Sequence, residues 1–180
     1  MKVIAAGLKG LFILLLVVSA AAVSASEIER FAGSYVGSAE YSANGETQRR
    51  DLSVTIEEDR EGFTLSWTSV SYKNDGRTKE SAYKIEFVPS PRSGIYGSAM
   101  KVNVFGKRKP LDPLNGEPFV WTRIIGDTFS TFSLFITDSG EYEMQEYHRT
   151  LVDGGLQLKF LRLRDGAIVR EIDAFLEKVD

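Results

Sequence analysis

The sequence predicts an all-β chain: an antiparallel up-and-down barrel of about eight to ten strands, following an N-terminal leader. Three observations carry this expectation. Beyond Phe31 apolar residues alternate at period two. Short Gly-containing turns recur at even spacing, and no segment holds a helical period long enough for a βαβ crossover.

Residues 1–25 read as a cleavable signal peptide. Lys2 and Lys9 supply a positive start, Leu11 to Val18 an apolar stretch, and Val23 with Ala25 a small-x-small site for cleavage before Ser26. An uncleaved anchor is the competing reading, but Leu11 to Val23 is only 13 residues, against the roughly 20 that a spanning helix needs. The expected mature chain, 26–180, is long enough for one domain with its own core. It is expected in the periplasm or outside the cell, with no membrane span. The chain has no cysteine, so neither disulfides nor a lipid attached through a thiol can hold or anchor it. Without the leader's two lysines, 20 basic residues face 25 acidic ones, a net charge of −5. Such a balance favours solubility and argues against a nucleic-acid partner.

The alternation is clearest at Leu52, Val54 and Ile56, at Phe63, Leu65 and Trp67, at Tyr83, Ile85 and Phe87, and at Leu156, Leu158 and Phe160. Turn signals separate these runs, among them Asn44-Gly45, Asp75-Gly76, Gly154-Gly155 and Asp165-Gly166. The resulting strands fall near 33–42, 47–57, 63–72, 78–88, 95–105, 118–125, 128–137, 141–150, 156–164 and 167–175. The last run also fits a terminal helix through Ile172, Phe175, Leu176 and Val179. A barrel removes exposed strand edges, although a two-sheet sandwich satisfies the same periodicity. Residues 106–117 form a longer connection with a basic triplet, two prolines and an Asn-Gly, the kind of loop that carries function or a rigid surface turn.

An outer-membrane barrel needs an uncharged outward band on every strand. Here one strand carries Arg49, Asp51 and Glu57 opposite its apolar face, and another carries Glu141, Glu143, Gln145 and Arg149 on one face, although a membrane barrel could turn such faces inward. The chain also ends without an aromatic residue. A soluble barrel is the expectation.

The segment Phe31-x-Gly33-x-Tyr35 resembles the opening of lipocalins and related calycin barrels, where a Gly-x-Trp begins the first strand. That resemblance implies that Phe31, Gly33 and Tyr35 help close the barrel. It also implies an arginine from a late strand packed on the aromatic ring, with Arg162 the candidate by parity. Thr137-Asp138 followed by Tyr142 loosely matches a further family segment. Tyr35 stands where the family has Trp, so the likeness bears on fold rather than ligand.

No nucleophile elbow, paired zinc-ligand histidines or phosphate-cradling Gly loop is present. No cofactor or metal is expected, and an enzyme is the less favoured class. The candidates for an interior ligand site are Trp67, Tyr83, Phe119, Trp121, Phe132 and Tyr142, with Arg123 as an anchor for a carboxylate. Glu146 and the sole histidine, His148, share parity and would form a polar pair if that face points inward; they are the acid and base of an enzymatic reading. The leading expectation is an exported barrel that binds a small apolar or amphipathic molecule. The alternative is a protein-binding module, a protease inhibitor or an envelope assembly factor, acting through 106–117 or the N-terminal segment 26–30.

Overall fold

A computed structural model describes residues 27–180, apart from 44, 74, 99, 100, 103, 104, 107 and 110. The expected signal peptide lies outside the described residues. Ten strands close into an antiparallel barrel: β1 (Gly33–Ala43), β2 (Glu46–Glu58), β3 (Phe63–Tyr72), β4 (Thr78–Pro89), β5 (Ile95–Ser98), β8 (Phe119–Ile125), β9 (Thr128–Ile136), β10 (Tyr142–Val152), β11 (Gly155–Arg164) and β12 (Ala167–Lys178). Each pairs with its chain neighbours, and β1 pairs with β12 to complete the circuit. This is the up-and-down barrel that the alternation predicts, not a sandwich.

Two boundaries differ from expectation. The run 95–105 is interrupted: β5 stops at Ser98, and a separate two-stranded ribbon, β6 (Lys101–Val102) with β7 (Arg108–Lys109), turns through Gly106 at φ 75°. The last run is strand up to Lys178 rather than a terminal helix. Its apolar positions Ile172, Ala174 and Leu176 alternate inward against Phe160, Leu158 and Leu156. Pairing along β11 offers that segment a ladder that an isolated helix of this length would lack.

The barrel has two unlike ends. At one end lie the β2–β3, β8–β9 and β10–β11 turns and a short 3₁₀ turn, η1 (Glu29–Phe31). Ile28 and Phe31 are fully buried there, and the Phe31, Phe63, Phe87 and Phe129 rings form a continuous layer with centroids 5.1–5.7 Å apart. The Tyr96 ring meets Phe63 edge-on at 5.1 Å. An ion pair between Arg30 and Asp127 ties η1 to the β8–β9 turn. This end is plugged. The β1–β2, β3–β4, β9–β10 and β11–β12 turns lie at the opposite, open end. There the Asp165-Gly166 turn takes φ 47° and 82°, the left-handed pair that a two-residue hairpin requires.

Closure of the circuit is narrow. β1 meets β12 only over Tyr35↔Lys178, Val36↔Glu177 and Gly37↔Leu176, extended by Val179 N–H donating to the Ser34 carbonyl at 2.9 Å. A Cβ at Gly37 would lie 2.2 Å from the Phe175 carbonyl oxygen and 2.8 Å from Leu176 Cδ2. Glycine therefore lets the two strands approach. Gly37→Ala is expected to cost about 2 kcal/mol and to lower Tm by roughly 4–8 °C for a chain of this size. Gly97→Ala, where a Cβ meets nothing within 4 Å, should be nearly neutral. Thermal denaturation of the two variants checks this, and equal Tm values would contradict the account of closure.

Candidate functional site

The inward side chains change character along the barrel axis. From plugged to open end, β2 reads Ile56, Val54, Leu52, Arg50; β3 reads Phe63, Leu65, Trp67, Ser69, Ser71; and β4 reads Phe87, Ile85, Tyr83, Ser81, Lys79. On β11 the series is Leu156, Leu158, Phe160, Arg162, and on β12 it is Leu176, Ala174, Ile172, Arg170. Large apolar groups thus fill the plugged half. Small hydroxyls and long cations, which cannot pack to native density, leave space in the other.

That space is a cavity of about 220 Å³, well beyond the room that one water needs. Its floor is apolar and aromatic, formed by Leu52, Trp67, Tyr147, Leu158, Phe160 and Ile172. Trp67 stacks on Tyr83 with centroids 4.9 Å apart and lies 5.7 Å from the Tyr147 ring, which itself lies 4.7 Å from Phe160. Arg50, Lys79, Arg162 and Arg170 surround the upper wall with Gln145 and the hydroxyls of Ser69, Ser71 and Ser81. A shallower depression continues outward past Tyr41, Gln48, Lys73 and Asp75.

Hydrogen bonds fix part of this rim. Arg50 donates from Nε to Ser71 Oγ and from Nη2 to the Tyr41 hydroxyl, each at 3.1 Å, and its guanidinium lies 4.9 Å from the Tyr41 ring centroid. Arg170 approaches the same ring at 5.3 Å. Arg162 and Arg164 share one oxygen of Glu143, at 2.6 and 3.4 Å, while Gln145 donates to the other at 2.9 Å. Burial works to raise the Glu143 pKa. The bonds from Arg162 and Gln145 outweigh it and hold the carboxyl below its ordinary value. Among the described residues no carboxylate pairs with Arg50, Lys79 or Arg170.

Beneath the floor lies Arg149, which the sequence reading counted only among the charges on one strand face. Arg149 is 1% exposed, donates from Nη1 to Thr131 Oγ1 at 3.2 Å, and sits 5.3 Å from the Tyr147 ring and 5.7 Å from that of Phe129. Burial pulls its pKa down to about 10 and pushes that of Tyr147 up to about 12. Its Nε, like the Ser98 and Thr122 hydroxyls, lacks a hydrogen-bond partner among the described residues.

Of the expected ligand residues, Trp67 and Tyr83 line the cavity. Phe119, Trp121, Arg123, Phe132, Tyr142, Glu146 and His148 do not; they stand on the outer face of β8–β10, a correction to their expected interior place. The inward positions of β8 and β9 belong to Val120, Thr122, Ile124, Phe129, Thr131 and Ser133. On the outside, Trp121 stacks on Phe132 at 5.0 Å, with Phe119 at 5.5 Å on one flank and Arg123 over Phe132 at 5.6 Å on the other. His148 Nε2 lies 3.0 Å from Glu146 Oε2 and its Nδ1 lies 2.9 Å from Ser130 Oγ. Tyr142 is exposed at the strand's start.

Phe31 and Tyr35 are buried at the plugged end, where the Tyr35 hydroxyl donates to the Phe31 carbonyl at 2.9 Å. The cation over the Tyr35 ring is Lys178, at 5.7 Å, not Arg162. β11 carries Arg162 to the open end, away from Tyr35, and its partner is Glu143. At Gly33 a Cβ would lie 2.7 Å from Lys178 Cε, so this glycine admits the lysine that covers the ring. No group of three or more His, Cys, Asp or Glu able to hold a metal occurs among the described residues, and none of their helices is long and apolar enough to cross a membrane.

The Glu143 geometry sets an acid-pH dependence. Its pKa is lower folded than unfolded, so its contribution is complete above the ordinary carboxylate range and is lost as pH falls through the folded value. Glu143→Gln should cost about 1 kcal/mol at pH 7, with the difference from the parent shrinking toward pH 3. Urea denaturation across that range measures it. A gap that stays constant with pH would contradict the pairing.

No protein-family model matches the chain, and a search of curated proteins found no relative.

Proposed function

We propose that this chain is an exported, lipocalin-like barrel that binds a small amphipathic molecule in its interior, at the open end. The observation that carries the reading is the axial division of the cavity, with an aromatic floor beneath a polar, cationic wall. Binding pockets for small molecules combine an apolar lining with a few placed polar groups in this way. The leader pattern of residues 1–25 supports export. The Phe31-x-Gly33-x-Tyr35 opening and the closed ten-strand circuit support a lipocalin-like relationship.

The two tryptophans make a direct test, because Trp67 lines the cavity and Trp121 lies on the outer face. Titration with decanol should change the emission of a Trp121→Phe protein, in which Trp67 is the sole reporter. It should leave a Trp67→Phe protein unchanged. Ser69→Phe, which fills the upper cavity, should weaken decanol binding by about tenfold or more, equivalent to about 1.4 kcal/mol. A response confined to Trp121, or undiminished binding by Ser69→Phe, would overturn an interior site.

A further inference from the structure

We infer that the molecule held in this cavity is an amphipathic anion, seated tail-down on the aromatic floor with its anionic head among Arg50, Lys79, Arg162 and Arg170. This rests on the interior site proposed above and adds the charge and the orientation of its occupant. The chain as a whole is acidic, with 25 acidic residues against 22 basic. Yet among its described lining groups the cavity wall gathers four cations and no carboxylate, and the depression outside it adds Lys73 against Asp75. Like charges collected around one low-dielectric mouth repel each other and focus a positive potential there.

Internal acids cancel only the Arg162 part of that potential, and Arg50, Lys79 and Arg170 face no paired carboxylate among the described residues. Asp75 is engaged by Arg77, whose Nε donates to it at 2.8 Å, and Glu143 is shared by Arg162 and Arg164. Arg50 spends two of its five donors on Ser71 and Tyr41, which orients the guanidinium and leaves the rest of the fork for an incoming group. Arg162 Nε is buried without a partner among the described residues. Planar guanidinium forks match carboxylate and phosphate oxygens, so either head would satisfy the same donors.

Orientation follows from the axial order of the wall. Ser71 stands level with Arg50 and Lys79; below them come Ser69 and Ser81, and then the Trp67, Tyr147 and Phe160 rings. A head placed at the floor would be separated from the four cations and would lie against carbon. Arg149 is the other cation within reach of a deep head group, but the Tyr147 ring lies against it and its side chain is absent from the cavity wall.

A series with one tail and different heads tests the inference in the full mature chain, read through Trp67 in the Trp121→Phe background. Decanoate and decyl phosphate should each bind at least tenfold tighter than decanol, and decyltrimethylammonium should bind most weakly. The preference should fall with added salt. An Arg50→Gln/Arg170→Gln variant should lose the preference, so that decanoate and decanol bind that variant with equal affinity. Lys79→Gln, at an exposed position, should reduce decanoate binding several-fold and guards against a folding defect in the double variant. A preference shown by decanoate alone or by decyl phosphate alone identifies the head within the anion class. Equal binding of decanol and decanoate overturns the inference and leaves the interior site intact, whereas no binding by any of the four, decanol included, removes both. A preference lost in Arg149→Met and retained in the rim variants would place the head deep and overturn the orientation.

Discussion

The architecture depends on the depth at which the barrel stops being filled. Ten tilted strands enclose more width than aliphatic side chains alone can occupy. At one end the deficit is met by phenylalanine: Phe31 arrives from outside the strands, and Phe63, Phe87 and Phe129 complete a layer of rings around it. Among the described residues nothing equivalent lies at the other end. Inward positions there carry serine, whose volume is too small, or arginine and lysine, whose charged ends seek water or a partner. The cavity is therefore a direct result of sequence, written as a change of residue type at every second position.

Filling and charge are also linked through the residues between the two halves. Tyr147 belongs to the floor, donates to Gln145 at 3.0 Å, and Gln145 donates in turn to Glu143. The aromatic floor and the guanidinium rim are thus joined by one chain of hydrogen bonds on β10. On the other side of Tyr147 lies Arg149, a cation held in the core by two rings and one threonine hydroxyl. An unpaired buried charge costs several kcal/mol, and the proximity of Phe129 and Tyr147 recovers a part of it. This is the least economical feature of the core.

Much of the fold was legible because antiparallel strands with one buried face write a period of two. Leu52-x-Val54-x-Ile56 and Leu156-x-Leu158-x-Phe160 lie where that period places them. The site was legible only in part, since periodicity gives alternation without saying which face is inside. On β8 and β9 both faces carry apolar groups, and the bulkier set, Phe119, Trp121 and Phe132, went outward while Thr122 and Thr131 went in. Treating large aromatics as interior fails there. Two signals would have helped. Arg123 shares the outer face with Phe119 and Trp121 on β8 and marks its solvent side, whereas β10 gives no such signal because Glu143 and Arg149 point inward. The passage from Trp67 to Ser69 and Ser71, or from Phe160 to Arg162, also marks the open end. The pairing of Tyr35 with Arg162 failed because the family likeness carried no axial position; Lys178, on the strand that closes the barrel, occupies that place instead.

The central claim is that one occupant lies along the barrel axis with its tail against Trp67. Isotope-edited nuclear Overhauser measurements on the protein with ¹³C-labelled decanoate address it most directly. The account predicts contacts from the terminal methyl group to the Trp67 indole and Leu158, and from the carbon beside the carboxylate to the side chains of Arg50 and Arg170. Contacts from the methyl group to Trp121 and Phe132 would place the ligand on the outer face and contradict the account.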